Sequence, residues 1–139
     1  MAAGRFFQHQ GLFVHGLIHL SPTEALAEIG AGALLVDVRE QFMVEMKAFG
    51  IPGVHYLPFS RFKTGFDELP RDRPLILADA VGLYSREAAA FLLERGYSEV
   101  ASLNGGISRW EDDQLPLATD SAGLWQGSCA CRLKPRGNP

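Results

Sequence analysis

Asp79 holds a position in this sequence that suggests chemistry. It follows the apolar run LILA (75–78) and precedes the loop AVGLYS, after which a helical pattern begins. α/β proteins usually place functional groups where a buried strand turns into a helix. A carboxylate at that point can act as a nucleophile or as a general base. However, the loop 80–85 contains no lysine, second acid or metal-ligand set to assist it, so its sequence gives such catalysis weak support.

Two thiols, Cys129 and Cys131, stand near the C-terminus. Two ligands are too few for a structural zinc site, which normally needs four. Arg132, Lys134 and Arg136 follow closely, and cations near a thiol favour its reactive thiolate form. Two interpretations therefore stay open: the residues are inert reduced thiols, or they carry a persulfide or a redox-active disulfide.

The histidines give little indication of a metal site. His9, His15 and His19 lie near the N-terminus without cysteines or carboxylates at matching spacing. His55 lies in an apolar segment, where a hydrogen-bonded side chain is the commoner role. We therefore expect neither a bound metal nor a cofactor.

The elements that must position these residues follow an alternating pattern. Apolar runs alternate with helical patterns, which predicts βα units around a parallel sheet. The run ALLVDV is typical of a fully buried strand. Strands are predicted within residues 16–20, 33–38, 53–59, 71–79 and 99–106.

Two helices have clear sequence signals. Ser21 is a good N-cap, Pro22 suits the first helical position, and Glu24 completes a capping box for a helix over 22–30. A second helix is predicted from Arg86 to Arg95, ended by Gly96, with its apolar residues directed into the core.

Composition limits the function classes. The chain has 139 residues, 47% of them hydrophobic, which suits one domain with a substantial core. A net charge of −3 and a pI near 5.8 do not indicate nucleic acid as the main partner. No unbroken apolar run reaches the roughly 18 residues of a membrane span, and no signal-peptide pattern is visible. We therefore expect a cytoplasmic protein that is not bound to membranes.

The order of several motifs resembles the rhodanese-like family of sulfurtransferases. The resemblance covers residues 19–117 and rests on VDVRE, IPGVHYLPFS, ERGYSEVASLNGG with Trp110 four residues later, and LPL, in that order. It implies an α/β fold with a mainly parallel five-stranded sheet and helices on both faces. It also divides the chain into an N-terminal extension (1–16), a rhodanese-like domain (17–118) and a C-terminal tail (119–139).

The resemblance also assigns a site. It implies that Asp79 occupies the position of the family's nucleophilic cysteine, and that Tyr84 stands where an arginine is common. Asp37 and Arg39 are expected to form an ionic pair under the loop, with a structural and a binding role both open. The equivalent of the family's active loop comprises Asp79, Ala80, Val81, Gly82, Leu83, Tyr84 and Ser85.

A carboxylate at the cysteine position changes the expected function. Sulfur transfer needs a thiolate that can hold a persulfide, which a carboxylate cannot form. We expect Asp79 to be a structural plug that accepts hydrogen bonds from its loop. The sequence leaves open whether Val81, Leu83 and Tyr84 point outward or pack inward. If these side chains point outward, they would suit contact with a protein or peptide partner.

Two function hypotheses follow. In the first, the chain is a binding or regulatory module without thiosulfate sulfurtransferase activity, so it is not expected to be an enzyme. In the second, Cys129 and Cys131 provide persulfide or disulfide chemistry in place of the loop. The sequence does not indicate the oligomeric state.

Overall fold

A computed structural model describes residues 11–118. His9 and the predicted tail thiols Cys129 and Cys131 lie outside this range. Within it, no helix is both long enough and apolar enough to cross a bilayer.

The main sheet is formed by β1 (Leu12–Val14), β2 (Leu17–Leu20), β3 (Leu34–Asp37), β5 (His55–Tyr56), β6 (Leu75–Ala78) and β7 (Val100–Leu103). Their order across the sheet is β1-β2-β7-β6-β3-β5. Five of its strands run parallel to their neighbours, as predicted, and β1 pairs antiparallel with β2 at one edge. β1 lies inside residues 1–16, which the sequence predicts to be an extension.

Helices cover both faces of this sheet. The α-helices are α1 (Pro22–Gly30), α2 (Gln41–Met46), α3 (Phe62–Gly65), α4 (Leu83–Glu94) and α5 (Gly106–Asp112), with 3-10 turns at Phe59–Arg61 and Phe66–Glu68. The α/β fold class predicted from the sequence is therefore confirmed.

The core has two layers, because alternate residues of each strand point to opposite faces. Val36 and Leu77 pack with Leu92 of α4 in one layer. Ile76 packs with Ala25 of α1 and Trp110 of α5 in the other. Trp110 is fully buried and donates a hydrogen bond of 2.7 Å from Nε1 to the Pro116 carbonyl.

The capping box of α1 is present as predicted. Ser21 Oγ accepts a hydrogen bond from the Glu24 N–H, and Glu24 Oε1 accepts one of 2.9 Å from the Ser21 N–H. In contrast, α4 begins at Leu83 rather than at Arg86. The helix starts earlier because Asp79 satisfies the N–H groups of its first turn.

A small antiparallel ribbon was not predicted. It consists of β4 (Ala48–Phe49) and β8 (Leu117–Ala118), which pair although almost 70 residues separate them in the chain. Gly50 lies directly against β8, where an added Cβ would come within 2.8 Å of the Leu117 backbone.

Candidate functional site

Asp79 immediately follows β6, and its side chain is almost completely buried, with 2% of its surface exposed. Oδ1 accepts a hydrogen bond of 2.5 Å from the Gly82 N–H. Oδ2 accepts bonds of 2.7 Å from the Tyr84 N–H and 3.3 Å from the Ser85 N–H. The carboxylate thus binds the donors of its own loop and of the first turn of α4, the arrangement expected of a plug.

Helix α5 also holds the loop, through two backbone hydrogen bonds. The Ile107 N–H donates to the Asp79 carbonyl at 2.9 Å, and the Ser108 N–H donates to the Ala80 carbonyl at 3.1 Å. Gly82 makes the turn into α4 with φ = 101°, a left-handed conformation that favours glycine. The loop backbone is therefore fixed by hydrogen bonds to its own carboxylate and to a neighbouring helix.

Asp37 and Arg39 form the predicted ionic pair at the end of β3. Asp37 Oδ2 lies 2.8 Å from Arg39 Nη2, and Oδ1 accepts bonds from Arg39 Nε and the Arg39 backbone N–H. Arg39 Nη1 donates to the Lys47 carbonyl at 2.9 Å. The guanidinium fork is thus engaged within the protein, which agrees with the structural interpretation of this pair.

An apolar cleft of about 380 Å³ lies beside the loop. Arg39 and Asp79 line it from the carboxyl ends of β3 and β6, together with side chains of α2 and of the first 3-10 turn. Its walls are Val38, Arg39, Glu40, Met43, Phe59, Ser60, Asp79, Ala80, Val81, Leu83 and Tyr84.

Three apolar side chains of the loop region point outward. Val81, Leu83 and Tyr84 are 57%, 59% and 56% exposed, which decides between the two orientations that the sequence leaves open. Tyr84 and Phe59 both line the cleft, and the centroids of their rings are 4.9 Å apart. Phe59, Met43 and Glu40 carry no sequence signal that marks them as site residues, and they join the cleft only through the tertiary fold.

Three hydroxyl side chains, those of Ser85, Ser102 and Tyr56, lie in or near the loop region and are not part of the cleft lining. The buried hydroxyls of Ser85 and Ser102 are 2.9 Å apart and link α4 to β7. Burial and, to a lesser extent, the Asp37 carboxylate raise the pKa of Tyr56 at the neighbouring strand end. These groups support the region around the site and do not supply an obvious nucleophile.

Two of the described histidines, His55 and His19, interact with neighbouring groups. His55 Nε2 lies 2.7 Å from Glu68 Oε2. Burial lowers the pKa of His19, and the nearby Arg86 adds to this effect, although a backbone hydrogen bond at Val14 opposes it. In residues 11–118, no three histidine, cysteine, aspartate or glutamate side chains gather as metal ligands.

A comparison with protein families agrees with this architecture. The family model described as a rhodanese-like domain matches residues 21–113, which is more than half of the chain. The chain belongs to the rhodanese-like family. Among curated relatives, the thiosulfate sulfurtransferase GlpE of Haemophilus influenzae is 35% identical over 102 residues, covering 72% of this chain and 93% of that protein.

Further similar proteins extend the comparison. A sulfurtransferase of Allochromatium vinosum is 34% identical over 60% of this chain and 77% of its own length. The solved rhodanese homolog of Thermus thermophilus is 35% identical with a TM-score of 0.52, covering 66% of this chain and 98% of that one. A rhodanese-related protein of Thermoplasma volcanium, 24% identical over 73% and 97% of the two chains, shares the fold with a TM-score of 0.66.

Proposed function

We propose that this rhodanese-like domain does not transfer sulfur through its Asp79 loop, and that it binds a protein or peptide in the adjoining cleft. The observation that carries the proposal is the buried Asp79 carboxylate, which accepts three backbone hydrogen bonds from the loop and from α4. In this proposal, Asp79 stands where active members of the family carry the nucleophilic cysteine.

The chemistry of sulfur transfer requires a different group at that position. A thiolate attacks the outer sulfur of thiosulfate, forms an S–S bond and releases sulfite; cyanide then removes this sulfur as thiocyanate and restores the thiolate. The Asp79 oxygens cannot form the persulfide. They also occupy the Gly82, Tyr84 and Ser85 N–H donors that would otherwise stabilise an anion at the start of α4.

The cleft has properties suited to a peptide side chain or helix. Its walls are mainly apolar, and exposed Val81, Leu83 and Tyr84 form its outer rim. Exposed apolar patches beside a concave surface are typical of protein interaction sites. The buried Asp79 carboxylate already accepts hydrogen bonds from its own loop, and the Arg39 guanidinium is already paired with Asp37. The rim residues therefore supply the contact surface.

A thiosulfate:cyanide assay tests the catalytic half of this proposal. The variant carrying Cys129→Ser and Cys131→Ser should produce thiocyanate at the rate of a protein-free control, because the described residues offer no replacement thiolate. Turnover above that background, abolished by adding Asp79→Ala, would show that the loop is catalytic and would refute the proposal.

A binding experiment tests the other half. Peptides selected from a display library on the wild-type protein should bind Leu83→Asp at least tenfold more weakly. Thr23→Asp is a matched control, since Thr23 is exposed on α1 at the opposite face of the sheet. Equal binding to both variants would place the selected peptides elsewhere and contradict the proposed cleft.

We also propose a second function, sulfur transfer that would use Cys129 and Cys131; the names of the curated relatives support sulfur transfer, while both cysteines lie outside the residues that the family model matches. Relatives matched over 93% of their length are named thiosulfate sulfurtransferase. The same assay separates the two functions, because tail chemistry predicts wild-type turnover that disappears when both cysteines are replaced by serine.

A further inference from the structure

Glu40 places a carboxylate in the cleft lining, just before α2. The side chain is half-buried, and its Oε1 and Oε2 accept hydrogen bonds from the Ser60 hydroxyl at 3.1 Å and the Ser60 N–H at 3.2 Å. None of the ion pairs within residues 11–118 includes Glu40. Ser60 therefore holds this carboxylate at the cleft wall, and its remaining acceptor positions can meet a donor from outside.

The other charged groups give the cleft an excess of negative charge. Arg39 is the one cation among the described residues of the lining, and its guanidinium is paired with Asp37. Asp79 accepts hydrogen bonds from backbone N–H groups, which carry no full charge. Three carboxylates, those of Asp37, Glu40 and Asp79, against one guanidinium leave a formal charge of −2. A concave apolar surface focuses such a field, so the cleft attracts cations and repels anions.

A second groove continues this charge pattern beyond Phe59. The Phe59 ring lines the cleft and also a neighbouring groove of about 220 Å³, which is lined by residues of α3 and α4. Glu87 and Glu94 belong to this groove together with Lys63, and none of the three forms an ion pair within the described part of the chain. A partner that extends from the cleft across Phe59 therefore meets two more carboxylates and one ammonium group.

The charge of the described domain acts in the same direction. Residues 11–118 contain nine Lys and Arg against fifteen Asp and Glu, a formal charge of −6. A field of this sign speeds the association of basic partners and slows that of acidic ones.

We propose that the partner of this cleft is a basic segment, which places an apolar side chain in the cleft and a neighbouring lysine or arginine against the Glu40 carboxylate. This inference rests on the binding function proposed above and adds the chemistry of the partner. An acidic or phosphorylated segment is disfavoured, because its charge would meet Glu40 and Asp79 where the backbone N–H donors of the loop are already occupied.

Selection of a random peptide library on the full protein provides the probes. Cleft binders are the peptides whose affinity falls when Leu83→Ser removes part of the apolar rim without adding charge. We expect lysine and arginine to be enriched in these peptides over the starting library. For a synthetic copy of one binder, Glu40→Gln, which keeps an acceptor oxygen for Ser60, should raise Kd roughly three- to tenfold. Glu45→Gln, on the same helix but outside the cleft lining, is the matched control and should change Kd less than about twofold.

A double-mutant cycle separates a direct pair from the general field of the domain. Norleucine in place of the peptide's lysine keeps the apolar stem and removes the charge. This replacement should weaken binding to the wild type by the same roughly three- to tenfold and have almost no effect on binding to Glu40→Gln. Because the change lies in the peptide, the folding of the protein does not affect the comparison.

The outcomes distinguish this inference from the function on which it rests. Cleft binders without basic enrichment, or a cycle without coupling between the peptide's cation and Glu40, would overturn the basic partner and leave the cleft as a binding site. Enrichment of acidic residues would overturn it in the same way. If Leu83→Ser weakened none of the selected peptides, the binding function itself would fail, and this inference with it.

Discussion

Gly106 lies so close to Asp79 that a Cβ added to the glycine would come within 2.5 Å of the Asp79 carbonyl oxygen. The same Cβ would lie 2.5 Å from the carbonyl group of Ala80. Gly106 also has φ = 62°, a conformation that L side chains rarely adopt. This contact lets α5 approach the loop closely enough for the Ile107 N–H to bind the Asp79 carbonyl.

Gly106→Ala should therefore destabilise the domain. The positive φ alone costs on the order of 1–3 kcal/mol for a residue with a Cβ, and the backbone collision adds to that cost. Urea unfolding of the variant and the wild type measures the difference. Gly30→Ala is the matched control, because its Cβ would meet nothing within 4 Å and no positive φ is involved; an equal effect of both substitutions would contradict the close contact.

Asp79→Asn should lower the free energy of unfolding by about 1–3 kcal/mol. Asparagine keeps one acceptor oxygen, but its NH₂ group would face N–H donors of Gly82 or of the first turn of α4. Thermal melts at neutral pH give the comparison, with Asp72→Asn as a control at an exposed loop position. A melting temperature for Asp79→Asn at or above that of the wild type would mean that the carboxylate does not stabilise the loop.

The sequence predicts features that depend on local patterns. The capping box of Ser21 and Glu24 follows from residue spacing alone, and the buried strands β3 and β6 follow from continuous apolar runs. The start of α4 was predicted three residues too late. Its N-cap residue, Gly82, has no side chain to cap the helix; instead the Asp79 carboxylate accepts a hydrogen bond from the Tyr84 N–H five residues ahead, whereas usual capping patterns span two or three residues.

Features that depend on distant residues could not be predicted in the same way. The ribbon of β4 and β8 consists of two-residue strands, too short to show a periodic pattern. The outward direction of Leu83 and Tyr84 depends on which elements pack beside the loop, because apolar residue type alone allows either orientation. Phe59 and Met43 join the cleft for the same reason.

The buried pair Asp37 and Arg39 should respond strongly to the loss of one partner. Arg39→Met would leave the fully buried Asp37 carboxylate without its bidentate partner, which typically costs about 3–5 kcal/mol. Chemical denaturation measures this loss. The double variant Asp37→Leu with Arg39→Met removes both charges and should be more stable than Arg39→Met alone; a double variant that is less stable would indicate that the arginine acts mainly through contacts other than Asp37.

Glu24→Gln should destabilise the domain at neutral pH, and this effect should become smaller as the pH falls. Hydrogen bonding from the Ser21 backbone N–H is the main cause that lowers the pKa of Glu24 below its ordinary value of 4.5, although partial burial opposes it. A carboxyl whose pKa is lowered by folding contributes stability above its unfolded pKa, and this contribution is lost as the pH falls through the folded value. The difference between variant and wild type should therefore shrink as the pH is lowered from 7 to 3.

Ser21→Ala provides the control for that pH dependence. The Ser21 hydroxyl accepts a hydrogen bond from the Glu24 N–H and does not titrate, so its removal should cost about 0.5–2 kcal/mol at both pH values. Unfolding free energies of the three proteins at pH 7 and pH 3 make the comparison. If the effect of Glu24→Gln were as large at pH 3 as at pH 7, the charge of Glu24 would not contribute to the cap, and only the shape of its side chain would matter.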